Sequence, residues 1–256
     1  MSAQSLVLNA LTGLPECDPG CDLVRMALES TQRVGIVLQD DDVLVVAQKA
    51  VSKQEGRYVS LRDVQASPRA LSLAATTNKD PRFVEVVLSE STAVVRAARN
   101  VLITRHRLGF VMANAGIDRS NLPDGSRGDR VLLLPLDPDA AAASIRRTLQ
   151  ERVGVSCGVI ISDSFGRPWR QGVTNVALGV AGMPALRDLR GQRDRSGRVM
   201  ETTQVAVADA VAAGAALMMG EGAEGVPMVH VRGVNISGQA GNGQTLLRAI
   251  EEDLFQ

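Results

Sequence analysis

An α+β fold is predicted for this chain, a two-lobed protomer with mixed or antiparallel sheets and flanking helices. Three observations support it. Short β-branched runs recur between helix signatures along the 256 residues. Two of those runs, Val101-Leu-Ile-Thr104 and Gly109-Phe-Val-Met-Ala113, flank Arg105-His-Arg-Leu108 too closely for anything but a hairpin. That hairpin breaks the strict strand–helix alternation of a doubly wound fold. A chain with 45% hydrophobic residues and 2% aromatics builds its core from Val, Leu, Ile, Ala and Met. The expectation is one domain over 1–256, with two intimately packed lobes dividing near 120–130 or 185–200.

The elements follow in order. Leu6-Val-Leu8 reads as a short strand entering the tight loop Thr12-Gly-Leu-Pro-Glu16. Asp22 caps a helix from Leu23 to about Ser30. Asp40-Asp-Asp42 turns the chain into the buried strand Val43-Leu-Val-Val-Ala-Gln48, and the cationic stretch from Lys49 to Gly56 reads as a lip at its end. Ser67-Pro68 and Asp80-Pro81 each place a capping side chain before proline at the first helical position, starting helices near Pro68–Thr76 and from Pro81 to about Glu90. Val131-Leu-Leu-Leu134 is a strand, and Asp137-Pro138 caps a helix through Arg152. The apolar run Val159-Ile-Ile161 is a buried strand that ends at Ser162-Asp-Ser164 and delivers those side chains into a loop with Arg167 and Arg170. Gly179 to Asp188 reads as strand or tight turn, and the charged run Arg187–Arg198 as a solvated loop. Thr202 or Thr203 caps the most apolar helix, Val205–Met219, which Gly220 stops. Val226-Pro-Met-Val-His-Val231 is a strand, and Gln244–Asp253 a closing helix.

Lys+Arg and Asp+Glu both number 28, so no global field favours nucleic acid or a membrane surface, and any anion site is local. Scarce aromatics exclude a base-stacking platform. The longest apolar stretch, Val205–Met219, contains Asp209 and is too short to cross a bilayer. Three cysteines, an odd number, and an N-terminus without a leader pattern predict a cytoplasmic protein with reduced thiols. Cys17 and Cys21 lack the histidine partners of a zinc site.

Neither a phosphate-binding G-x-x-x-x-G-K-[ST] loop nor a G-x-S-x-G elbow is present. His230 lies in an apolar strand and reads as a satisfied core residue. What remains are oxygen ligands at element ends: Asp118, Asp163 with Ser164, and Glu221 with Glu224. Converging, they suit a hard divalent cation, while Lys49, Lys53, Arg167 and Arg170 suit phosphate oxygens. Together they describe phosphoryl transfer. Each member taken singly also reads as an ordinary cap or solvated turn.

Five ordered segments sharpen this: Gly13-Leu-Pro-Glu16, Gln48-Lys-Ala-Val-Ser-Lys-Gln-Glu-Gly-Arg57, Asn114-Ala-Gly-Ile-Asp-Arg-Ser-Asn121, Ser162-Asp-Ser-Phe-Gly-Arg-Pro-Trp-Arg170 and Met219 to Gly225. From about residue 6 onward the sequence resembles the coenzyme F-420:L-glutamate ligases, the gamma-glutamyl ligases. The resemblance implies a fold of that family's own type, a homodimer, and an amide ligase that uses GTP with Mg2+ or Mn2+, K+ being a candidate further ion. Its substrates would be L-glutamate and the glutamate-free precursor of coenzyme F-420, with later γ-linked additions through acyl phosphates. It implies nucleotide contacts at Gly13, Leu14, Pro15, Glu16, Gln48, Lys49, Lys53 and Asn121, and along Met219, Gly220, Glu221, Gly222, Ala223, Glu224, Gly225 and Val226. Metal ligands would be Asp118, Asp163, Ser164 and Glu221. Ser164 stands where many relatives carry threonine. Gln48 replaces a small hydroxyl residue, so its contact is expected through the backbone. Arg167 and Arg170 are candidate clamps on substrate phosphate or carboxylate, and Trp169 reads as local packing. No flavin-reductase-like second domain, as in some actinobacterial relatives, is expected. Other acceptors, of folate or pterin type, and a non-catalytic nucleotide- or cofactor-binding module are the alternatives.

Overall fold

A computed structural model describes residues 5–119 and 129–253. The strands are β1 (Val7–Ala10), β2 (Val43–Ala47), β3 (Tyr58–Ser60), β4 (Ser91–Ala98), β5 (Val101–His106), β6 (Val111–Ala113), β7 (Arg130–Leu132), β8 (Gly158–Arg167), β9 (Arg170–Ala181), β10 (Leu186–Asp188), β11 (Gln204–Ala206) and β12 (Met228–Arg232). The helices are α1 (Leu23–Arg33), α2 (Gln48–Gln54), α3 (Pro68–Thr77), α4 (Pro81–Ser89), α5 (Pro138–Val153) and α6 (Val207–Met219). The fold is α+β with mixed and antiparallel sheets, as the sequence predicts.

The main sheet has the order β1-β12-β2-β8-β9. β2 and β8 run parallel, and the other neighbours are antiparallel. β1, β2 and β8 therefore point the same way. Their C-terminal ends, the start of β12 and the early part of β9 all meet at one end of the sheet. Both faces are covered: Val46, Val159 and Ile161 pack with α1 and α5, while Val45, Ile160 and Val229 pack with α6. A second core gathers α3, α4 and Leu102 of β5, under the three-stranded sheet β4-β5-β6.

Local chemistry explains the ends of the helices. Asp22, Ser67, Asp80 and Asp137 accept hydrogen bonds from first-turn amides, three of them followed directly by proline. β9 is an edge strand, and its outward amides are covered by carboxylates from the first turns of two helices. Asp209 of α6 accepts from the Ala177 N–H, and Asp139 of α5 from the Val180 N–H. This satisfies buried donors and blocks strand addition along the edge. Gly179 lies between them, where a Cβ would run into the Pro138 backbone.

Several elements differ from the sequence reading. The stretch Gln48–Gln54 is a helix rather than a lip of loop, with Ala50, Val51 and Ser52 buried. β8 does not end at Ser162; it continues to Arg167 in a hairpin with β9, so Asp163 and Ser164 lie within a ladder. β4 was not foreseen. Its alternation is poor because much of it is exposed. Residues 204–206 form β11, so α6 starts at Val207 without a side-chain cap. The expected closing helix is replaced by two single 3-10 turns, Gly243–Leu246 and Ile250–Glu252, the first held by Asn242 and by Asp139, which accepts from the Gly243 N–H. Cys17 and Cys21 form a disulfide instead of remaining reduced. Among the described residues no helix is long and apolar enough to cross a membrane.

Candidate active site

The convergence at the end of the main sheet surrounds a cavity of about 580 Å3, a size suited to a small-molecule ligand. Four segments line it: Leu14–Cys17 after β1, Ala47–Lys53 at the start of α2, Ser162–Ser164 in β8, and Met219–Pro227 between α6 and β12. Asn175 of β9 completes the wall.

Each segment is held from behind. The loop after β1 is tied down by α1: the Ser30 hydroxyl donates to Thr12 O, and Arg33 Nη1 to the Thr12 and Gly13 carbonyls. The Cys17–Cys21 bridge and the Gly20 N–H to Gln54 O bond close its far side onto α2. The parallel register that sets Ala47 beside Ser162 brings Gln48, the first residue of α2, next to Asp163, which stays in the β8–β9 ladder. Gly220 ends α6 at φ +69, where a Cβ would clash with the Glu224 carboxylate. That carboxylate accepts from the Gly222 N–H and folds the acidic loop on itself.

The charges are arranged in pairs. Lys53, almost buried, donates to Glu16 at 2.8 Å. Lys49 is ion-paired with Asp118, which follows β6 and bridges to Leu132. Burial pushes the Asp163 carboxyl up to about 7; the Ser164 amide, Lys49 and Gln48 work to lower it, and the Asp118 charge adds to the rise. Gln48 is 2% exposed, with Oε1 accepting from the Ser52 hydroxyl. Its side chain also hydrogen-bonds Asp163, so it is a support for that carboxylate. This support is not legible in the sequence, because a glutamine at a strand end looks like any polar exit residue.

The oxygen donors Asp118, Asp163, Ser164 and Glu221 are the kind a hard divalent cation takes. Asp163 and Asp118 interact as like charges, an arrangement a cation relieves. In chemistry the set fits Mg2+ or Mn2+. Among the described residues no three His, Cys, Asp or Glu side chains are grouped to hold a metal, and Lys49 is the cation on Asp118. Asp163, Ser164 and Glu221 line the cavity, while Asp118 stands behind Lys49.

Of the other expected contacts, Leu14, Pro15, Glu16, Gln48, Lys49, Lys53, Met219, Gly220, Glu221, Gly222, Ala223, Gly225 and Val226 line the cavity. Gly13 sits one residue outside it, and Glu224 folds back over the loop. Asn121 lies outside the described residues. Arg167 and Arg170 are not in the wall. They face each other near the hairpin tip, where Arg167 Nη2 donates to Gln171 O. Trp169, expected to pack locally, is 81% exposed at that tip. His230 is the core residue expected, with Nε2 2.9 Å from Asp42. Asn175 was missed; the signal available was an amide directly before the small and apolar run Val176–Ala181.

The segments that build this wall are those on which the family resemblance rests. A sequence profile of the family described as F420-0:Gamma-glutamyl ligase matches residues 13–233. The chain belongs to this family. The "Coenzyme F420:L-glutamate ligase" of Methanothermobacter thermautotrophicus is 44% identical over 251 residues, covering 97% of this chain and 98% of the relative. That of Methanopyrus kandleri is 46% identical over 242 residues, covering 93% and 92%. That of Haloarcula marismortui is 43% identical over 254 residues, covering 96% and 94%. For this gamma-glutamyl ligase family member, the match spans β1's exit loop through β12 and so takes in every segment of the cavity wall.

Proposed function

We propose that this protein is a GTP-dependent, divalent-metal-dependent ligase that joins L-glutamate to the glutamate-free precursor of coenzyme F-420 through an acyl phosphate, and then extends the tail by γ-linkages. One observation carries the reading. Four segments far apart in sequence, each bearing a family motif, form one wall in which Lys49 and Lys53 are paired with the carboxylates of Asp118 and Glu16.

The chemistry sets the demand. A carboxylate resists attack because resonance and charge protect its carbon. Transfer of the γ-phosphoryl group breaks the bond from γ-phosphorus to the bridging oxygen, leaves GDP, and yields a mixed anhydride. The glutamate amine then attacks the acyl carbon. The C–N bond forms, the C–O bond to phosphate breaks, inorganic phosphate leaves, and a proton is released.

Lys49 and Lys53 are the groups suited to phosphate oxygens; each exchanges a carboxylate partner for phosphate. Asp118, Asp163, Ser164 and Glu221 would hold Mg2+ or Mn2+, which when bound screens the repulsion between carboxylate and γ-phosphate. Gln48 fixes the Asp163 carboxylate. Leu14–Glu16 and the loop from Met219 to Val226 line the cavity and are the segments suited to the nucleotide. The acceptor is the deazaflavin precursor, and the working form is a homodimer.

Mixing the protein with GTP, Mg2+ or Mn2+, L-glutamate and the precursor, then weighing the products, tests the reading. A gain of one or more glutamyl residues on the deazaflavin with stoichiometric phosphate release is expected. Full turnover with ATP alone, or glutamylation only of a folate or pterin, would overturn it.

A further inference from the structure

Asn175 is a buried amide that no part of the mechanism above employs. It is 6% exposed and lies in the cavity wall. Its Nδ2 donates to the Met219 thioether at 3.7 Å, which leaves Oδ1 turned from the sulfur. Oδ1 is buried and accepts no hydrogen bond. Buried amide oxygens are almost always satisfied, so one left over at a ligand cavity calls for a donor from the ligand. The register sets Asn175 directly opposite Ser164 and one position from the Asp163–Val176 pair. Alternation places Ser162, Ser164 and Asn175 on one face of the β8–β9 ribbon, and both Ser162 and Asn175 reach Met219.

Resting on the proposed ligase reading, the geometry points to a subsite for the primary amine of L-glutamate, with Asn175 Oδ1 as its neutral acceptor beside Ser164. The alternatives among the substrates fail on chemistry. Ionised phosphate and carboxylate offer only acceptors and would leave Oδ1 unpaired. The guanine N–H groups lie a ribose and two phosphates from the γ-phosphoryl group, and Asn175 sits opposite Ser164, a residue assigned to the cation that serves that group. The incoming amine is a donor that has to arrive there, because it attacks the carbon activated beside Asp163 and Ser164. A neutral amide suits the task. It orients an N–H without fixing the amine as an ammonium, as a facing carboxylate would, and the lone pair is left for the acyl carbon.

Two variants with the same side-chain branching test this. Asn175→Leu removes the acceptor, and Asn175→Asp retains one. Asn175→Leu is expected to raise the KM for L-glutamate roughly tenfold or more, with the KM for GTP and for the deazaflavin precursor unchanged. Asn175→Asp is expected to keep the glutamate KM within about threefold of the parent while kcat falls, because a carboxylate fixes the amine as an ammonium. The activating half-reaction is read separately, by scrambling of an 18O label from the β–γ bridge of GTP with precursor present and glutamate absent. It is expected to proceed at the parent rate in both variants. An unchanged glutamate KM in Asn175→Leu, a tenfold rise in Asn175→Asp, slowed scrambling, or weakened Mn2+ binding in the presence of GTP would each overturn the assignment. Absence of scrambling in the parent would count against the acyl-phosphate reading, while the glutamate KM would still decide the role of Asn175.

Discussion

Asp163 illustrates how a working site costs stability at a single residue. Its carboxyl is pushed up to about 7 because the fold withdraws it from water, and the hydrogen bonds from Gln48 and the Ser164 amide offset only part of that. Asp163→Asn should therefore melt at the parent temperature or above it, since a neutral isostere removes a buried charge. Turnover should fall by at least about 100-fold if the carboxylate serves the phosphoryl-transfer centre. A differential melt and a phosphate-release assay on the same preparation check both halves, and a variant with parent activity would remove Asp163 from the centre. Gln48→Leu addresses the support instead of the carboxylate. It keeps volume but strands the Ser52 hydroxyl and frees the Asp163 side chain. About a tenfold fall in kcat with a near-constant KM for GTP is expected, the pattern of lost positioning. A raised GTP KM with unchanged kcat would assign Gln48 to the nucleotide.

At the scale of the element, the hairpin β8–β9 and the helix α2 carry the site, and each was only half legible. Val159-Ile-Ile161 announces a buried strand, but Ser-Asp-Ser are turn-forming residues by local preference. Their extended conformation comes from pairing with Ala177, Val176 and Asn175, a partner no local pattern names. Likewise Lys49-Ala-Val-Ser-Lys carries too few apolar residues to show a helical stripe. Its burial against the loop after β1 makes it helical. Asp22, Ser67, Asp80 and Asp137, by contrast, were readable, because a capping side chain, followed by proline in the last three, is a purely local signal. The site residues on the β1 loop and the acidic loop were legible through motif order alone, and Asn175 and the Gln48 side chain were not, since burial is invisible in one sequence. The packing of β9 on α5 gives the element its own test. Gly179→Ala drives a methyl into the Pro138 backbone and should cost about 3 kcal/mol, the upper range for overpacking. Urea midpoints should show it, whereas Gly154→Ala, with open space around its Cβ position, should cost less and only through its positive φ. Equal losses would mean that the close approach of α5 is not what selects glycine at 179.

Across the whole molecule, a net charge of zero conceals an uneven distribution, and the acid response should be governed by one buried knot. Glu90, just after α4, lies 3.1 Å from Arg57, 3.2 Å from Arg107 and 3.3 Å from His106, with Arg57 and His106 themselves largely buried. Arg57 also donates to Leu134 O, and Arg107 to Leu136 O, so the knot stitches the chain after α2 to the sheet β4-β5-β6 and to the run leading into α5. The His106 hydrogen bond and the two guanidiniums outweigh the cost of burial and hold the Glu90 carboxyl down at about 2. Because the folded value lies below the unfolded one, ionised Glu90 stabilises the protein above the ordinary glutamate range. That contribution is lost as pH falls from about 4.5 toward 2. A depression of this size corresponds to about 3 kcal/mol. Glu90→Gln should thus be clearly less stable than the parent at pH 7, and the gap between them should close progressively as the pH is lowered through that window. Urea denaturation at a series of pH values from 7 to 3 measures it directly. His106 is fixed beside Glu90, with Nδ1 accepting from the Leu108 N–H and Nε2 3.3 Å from the carboxylate. The closing of the gap should therefore follow one carboxylate titration. A gap that stays constant from pH 7 to 3 would show that Glu90 acts through packing and not through its charge.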